Sequence, residues 1–99
     1  MNLRFEWDRN KAASNLKKHQ VSFDEASTVF DDPLAYLFDD EDHSVDERRE
    51  VIIGHSILKR VVLVCFTERA EAMIRIFSAR LATKKERKDY EENADLQNS

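Results

Sequence analysis

Met73-Ile74-Arg75-Ile76-Phe77-Ser78-Ala79-Arg80 reads as a strand by its alternation. Ile74 and Ile76 point to one face, and Met73, Arg75 and Phe77 to the other. An arginine inside so apolar a run is costly unless its guanidinium reaches water or an anion. Arg80 stands near the strand's exit, and a basic helix follows. Between residues 75 and 88, Arg75, Arg80, Lys84, Lys85, Arg87 and Lys88 outweigh Glu86, a local charge of +5. A rigid strand presenting arginines beside such a helix suits phosphate groups. The plain alternative is an Arg75 that snorkels to solvent next to a solvated helix. These residues leave both readings open.

Two strands precede this one, Glu50–Ile57 and Val61–Thr67, joined by Leu58-Lys59-Arg60. The second is apolar on both faces and is predicted to be central. With residues 73–80 they make an antiparallel meander. At the start of the chain, Leu3 to Trp7 alternates as a first strand with Leu3, Phe5 and Trp7 inward, and Asp8 N-caps a helix over Arg9–His19. Ser22 with Glu25 forms a capping box, with Val21 and Ala26 as its staple, and opens a second helix over Phe23–Phe30. Asp32-Pro33 ends it. Ala35–Phe38 is a short strand, followed by the acidic run Asp39-Asp40-Glu41-Asp42. Thr83 with Glu86 is a second capping box, so the last helix begins after Thr83 and frays near Asn93. Its one sizeable apolar anchor before that end is Tyr90, so it is held weakly or shared with a partner. The expected fold class is α+β: an N-terminal strand and two helices, an antiparallel sheet meander and a C-terminal helix, with the helices on one sheet face. Residues 1–92 form a single domain, and 93–99 a flexible tail.

The totals narrow the function. Ninety-nine residues with net charge −4 describe one compact ionic domain. The negative total does not exclude nucleic acid, because the acidic charge is concentrated in residues 24–50 while residues 75–88 are basic. Cys65 is the single cysteine and lies in an apolar run, so it reads as a small buried hydrophobe rather than a nucleophile. No signal peptide or apolar run of membrane length is present, and the expected setting is the cytoplasm. One glycine rules out a phosphate-binding glycine loop. Asp39–Asp42 lacks the spacing of a calcium loop, and three scattered histidines make no zinc site. No metal and no cofactor are expected.

The ordered set Phe5-Glu6-Trp7-Asp8, Lys11, Asn15, Lys18-His19, Val21-Ser22-Phe23 and Glu25-Ala26 resembles the opening of the BrnT toxins of type II toxin–antitoxin systems. The resemblance continues through Phe30, Asp32-Pro33, His43-Ser44, Glu47-Arg48, Ile53-Gly54, Arg60 and Thr67-Glu68. It closes on Ile74-Arg75-Ile76, Ser78-Ala79-Arg80, Glu86 and Tyr90, and spans about residues 3 to 91. It implies a RelE-like ribonuclease fold, metal-independent endoribonuclease activity that inhibits translation, and neutralisation by a ribbon-helix-helix antitoxin (BrnA-like), with indirect DNA binding through that antitoxin. Two departures stand out. Gln20 stands where the family usually has glycine, which implies local strain. The family also tends to have glycine near Lys59, so that hairpin turn adopts another type or accepts strain.

Metal-free RNA cleavage needs a base for the ribose 2′-hydroxyl, donors for the phosphorane oxygens and an acid for the leaving oxygen. Arg75 and Arg80 suit the donor role. His19, at the end of a lysine-bearing helix, is a candidate proton carrier, or a helix-ending residue bonded to the last carbonyls. Glu68 is a candidate base, or the ion-pair partner of an arginine. His43 opens the Ser44–Glu47 segment as a turn cap, and His55 shares the phase of Val51 and Ile53 and reads as packed. Lys18, Lys84, Lys85 and Arg87 are candidate RNA-binding cations. Tyr90 is a candidate for stacking on a base, with anchorage of the last helix favoured. A reading from another class stays beside these: a non-catalytic binding module that helps a DNA-binding antitoxin repress its promoter.

Overall fold

The computed structural model describes residues 2–40 and 47–98. The acidic residues Glu41 and Asp42 and the candidate turn cap His43 lie outside the described residues. Five strands, β1 (Arg4–Glu6), β2 (Tyr36–Asp39), β3 (Glu50–His55), β4 (Val61–Ala70) and β5 (Met73–Leu81), form one sheet in the order β1-β5-β4-β3-β2. β2 to β5 pair antiparallel, as the meander predicts, and the run apolar on both faces is the central strand. β1 instead pairs parallel with β5, Phe5 opposite Ile74.

Helices α1 (Arg9–His19) and α2 (Phe23–Thr28), the latter extended by a 3-10 turn over Val29–Asp31, pack on one face. Val21, Phe23, Ala26 and Val29 meet Ile52, Val62, Val64, Phe66, Ile74, Ile76 and Ala79 there. Helix α3 (Lys84–Asn98) lies on the opposite face, where Tyr90 packs with Ile53 and Val61. The expectation of helices on one face is therefore corrected. β3 and β4 are apolar on both sides, so each sheet face needs a cover. α3 also continues past the fraying point expected near Asn93, because Ala94 stands one turn beyond Tyr90 on the same stripe and is buried. Among the described residues no helix is long and apolar enough to cross a membrane.

Two caps form as predicted and one differs. Asp8 accepts from the Lys11 amide at 3.0 Å, and Thr83 with Glu86 closes a reciprocal box at 2.8 and 3.1 Å. Ser22 caps α2 through the Glu25 amide at 3.0 Å, but the Glu25 carboxylate does not turn back to close the box. It accepts from Arg60, doubly, and from the Ser56 hydroxyl at 2.6 Å. The same guanidinium donates to the Gln20 carbonyl at 3.0 Å. Arg60 thus ties the β3–β4 hairpin to the junction of α1 and α2. The strain expected at Gln20 and Lys59 is present: both are left-handed, at φ 59° and 62°, each costing about 1 kcal/mol for a side chain other than glycine.

The single glycine sits where the chain crowds. A Cβ added at Gly54 meets the Ala35 Cβ at 2.8 Å and Asp32 Oδ2 at 2.9 Å. Gly54→Ala should therefore destabilise the fold by about 1–3 kcal/mol, read as a lower urea midpoint. An unchanged midpoint would show that the loop carrying Asp32 and Ala35 yields freely.

Candidate RNA-binding face

β5 does not keep its alternation to the end. Cys65 pairs with Ser78 but Phe66 pairs with Ile76, so Phe77 is an extra residue, a β-bulge. Ile74, Ile76 and Ala79 can then all enter the α1/α2 core. Arg75 and Arg80, five residues apart, would lie on opposite faces of a regular strand. The bulge returns both to the face away from that core, with Phe77 and Ser78 between them.

α1 flanks this face because of Asn15. β1 pairs only with Met73–Arg75, which leaves the β5 backbone beyond it open. The Asn15 carboxamide donates to the Ala79 carbonyl at 2.8 Å and accepts from the Ala79 amide at 3.1 Å, as a neighbouring peptide would. It also donates to the Val21 carbonyl at 3.0 Å. Lys11, Lys18 and His19 lie on the stripe of α1 that contains Asn15, and with Phe77 and Ser78 they line a shallow pocket of about 220 Å³. The Lys11 ammonium stands 5.6 Å from the Phe77 ring centre and the Arg49 guanidinium 4.0 Å. Lys11, Arg49 and Phe77 were not among the site residues expected from sequence. Lys11 entered there only as one residue of the family resemblance, and Arg49 is hidden by the acidic stretch around it. The extra β5 residue left no mark in the pattern.

The arginines of the motif are paired rather than free. Arg75 donates to Glu6, its partner in register on β1, at 2.8 Å. Arg80 makes a fork to Glu86 at 2.7 and 3.0 Å. That fork, with the Thr83 amide, holds the Glu86 carboxyl at about 2, well below the usual range. Glu68 is not brought to them. It pairs with Ile74, so its register position belongs to the other side of the sheet from Arg75. At that strand end it shares a cavity with Glu47, Arg48, Glu50 and Arg69. Burial pushes the Cys65 thiol up, away from thiolate.

The +5 stretch also divides. Lys84 and Lys85 are exposed on the first turn of α3, whereas Arg87 lines a different cavity with His55, Lys59 and Arg60. Tyr90 is 2% exposed, so it is the anchor of α3 and not a stacking platform. Its hydroxyl donates to Asp32 Oδ2 at 2.5 Å and lies 3.1 Å from His55 Nδ1. Asp32 also accepts from the His55 and Leu34 amides at 2.8 and 2.9 Å. These donors lower the Asp32 carboxyl despite its burial, and burial with the Asp32 charge raises the Tyr90 phenol. His55 is exposed rather than packed, although its phase is the expected one.

The sheet with its two flanking layers is similar to the 1.1 Å crystal structure of the Brucella abortus ribonuclease toxin BrnT. The TM-score is 0.64 at 20% identity, over 84% of this chain and 100% of that one. No curated protein matches the chain. The family model described as ribonuclease toxin, BrnT, of type II toxin–antitoxin system matches residues 7–86, from Trp7 through Asn15, the β5 bulge and Glu86. The chain therefore belongs to the BrnT family of ribonuclease toxins of type II toxin–antitoxin systems.

Proposed function

We propose that the chain is an endoribonuclease that cuts RNA without a metal ion on the face centred on Phe77. The observation that carries this is the bulge, which puts Arg75, Phe77, Ser78 and Arg80 on one face beside Lys11, Lys18 and His19. A base of the substrate stacks on Phe77, whose ring already takes two cations. The phosphate then exchanges the carboxylate partners of Arg80 and Arg75 for its own oxygens. This favours the transition state, in which those oxygens gain charge. His19 takes the proton of the ribose 2′-hydroxyl, and the 2′-oxygen attacks phosphorus. The P–O5′ bond breaks to leave a 2′,3′-cyclic phosphate, the departing 5′-oxygen taking a proton from water. Lys18, Lys84 and Lys85 hold flanking phosphates. In this reading residues 1–92 are one toxin domain of RelE type, working in the cytoplasm to inhibit translation.

A second reading has a specific support: Arg75 and Arg80 are already neutralised by Glu6 and Glu86. The chain would then be a non-catalytic module that acts through its antitoxin on DNA. Naked RNA incubated with pure protein separates the two. Cleavage that persists at full rate in EDTA is expected. Activity lost to the chelator and restored by magnesium would overturn the metal-free mechanism, and no cleavage at all would favour the second reading.

The antitoxin in this reading is a ribbon-helix-helix protein that covers the active face, because occlusion excludes RNA directly. Its binding should slow hydrogen exchange across residues 75–90. Protection confined to residues 39–50, with 75–90 unchanged, would count against occlusion and point to inhibition at a distance.

A further inference from the structure

A second basic cavity, of about 600 Å³, opens between the β3–β4 hairpin and α3 and shares no lining residue with the pocket at Phe77. Its cations are Lys59 and Arg60 from the hairpin and Arg87 from the helix, against Glu91 as its one carboxylate. Val61 and Ala82 give it an apolar floor. That volume lies within the usual range for small-molecule sites. Arg60 is already engaged by Glu25. Lys59 and Arg87 are exposed and form no ion pair among the described residues, with Glu91 the one counter-charge lining the cavity beside them.

Two features give the cavity the character of a site. Lys59 is held in the left-handed region, its amide bonded to the Ser56 carbonyl at 2.9 Å. Glycine would relieve that strain, and this chain places a cation there instead. His55 is oriented as well. The Tyr90 hydroxyl proton goes to Asp32, so the tyrosine oxygen accepts from His55 Nδ1–H across their 3.1 Å. In the tautomer with its proton on Nδ1, Nε2 is a hydrogen-bond acceptor. Two unpaired cations, a hydrogen-bond acceptor and an apolar floor match a phosphate, a ribose hydroxyl and a base.

We propose that this cavity is a nucleotide-binding site, in which Lys59 and Arg87 hold a phosphate group while His55 Nε2 accepts from a ribose hydroxyl. It does not depend on where the chain cuts RNA. The occupant is a free nucleotide or one unit of an RNA chain, which share this chemistry.

Titrating the full chain with AMP, adenosine or the diester ApA, followed by amide NMR shifts, tests it. AMP should give saturable shifts at His55, Lys59, Ala82 and Arg87 and leave Phe77 and Ser78 unmoved. Adenosine should bind at least about tenfold more weakly, and Lys59→Gly and Arg87→Ala should each weaken AMP about tenfold, the worth of one charge-assisted contact. Lys59→Gly should also raise the melting temperature, so that its lost affinity does not reflect unfolding. ApA binding as well as AMP would identify a unit of RNA as the occupant, and preference for AMP a free nucleotide. Absence of saturable shifts, shifts centred on Phe77, or both variants binding AMP like the parent would overturn the proposal.

Discussion

Arg80→Ala should lower the single-turnover rate of RNA cleavage by about a hundred- to a thousandfold, the usual effect of removing one donor to a charged transition state. The informative control is Glu86→Ala. It breaks the same ion pair and loosens the same helix cap, but it leaves the guanidinium on the Phe77 face. If Arg80 acts on phosphate, Glu86→Ala should keep most of the activity while losing stability. If Arg80 serves only to dock α3, both variants should lose cleavage equally and in step with their melting temperatures. Arg75→Ala belongs with Arg80→Ala in the first case. Its pair with Glu6 is partly exposed on both sides, so the fold loses little when it is broken.

Glu25→Ala should cost about 2–3 kcal/mol of unfolding free energy, somewhat below the usual figure for breaking a buried pair because Arg60 still reaches water. Glu25 is 5% exposed, and its carboxylate satisfies Arg60 and Ser56 together. Its removal leaves the Ser56 hydroxyl without its acceptor and Arg60 with the Gln20 carbonyl alone, and so loosens the hairpin from the α1–α2 junction. The same pair predicts an acid response. The Arg60 guanidinium holds the Glu25 carboxyl below its ordinary value of 4.5, and Arg80 holds Glu86 lower still, at about 2. A depressed carboxyl stabilises the fold above its unfolded pKa, and that stability is lost as the pH falls toward the folded value. Stability should therefore drop from about pH 5 downward, and less steeply in Glu25→Ala. A urea midpoint within about 0.5 kcal/mol of the parent would show the pair to be energetically idle.

Much of the fold is written in short-range patterns. The strand alternations, the apolar run of β4 and the hydroxyl-carboxylate spacings at Ser22 and Thr83 are local signals, and each marks its element. What escaped was settled between elements. Glu25 sits at a spacing that suits a capping box, but Arg60, 35 residues away, provides a stronger partner than one backbone amide. α3 shows too thin an apolar stripe to say which sheet face it covers, and Tyr90 reaches its place through Asp32 and His55. The candidate site was half legible for the same reason. Arg75 and Arg80 announce themselves inside an apolar run, whereas Phe77 becomes a platform only because one extra residue interrupts the pairing. Glu68 shows the converse: adjacent in composition to a useful carboxylate, it is carried by register to the wrong side of the sheet.

The carboxamide of Asn15 also governs how the sheet meets other sheets. Along the β5 side, three residues of β1 and a single side chain close the ladder, so little template is left for another chain. At the other end β2 is the last strand among the described residues, and Leu37 and Phe38 on it are largely exposed. A sheet closed along one margin and open along the other can grow in one direction only. Two copies meeting edge to edge would join β2 to β2 and then have no further edge to offer, giving a finite pair rather than a fibre.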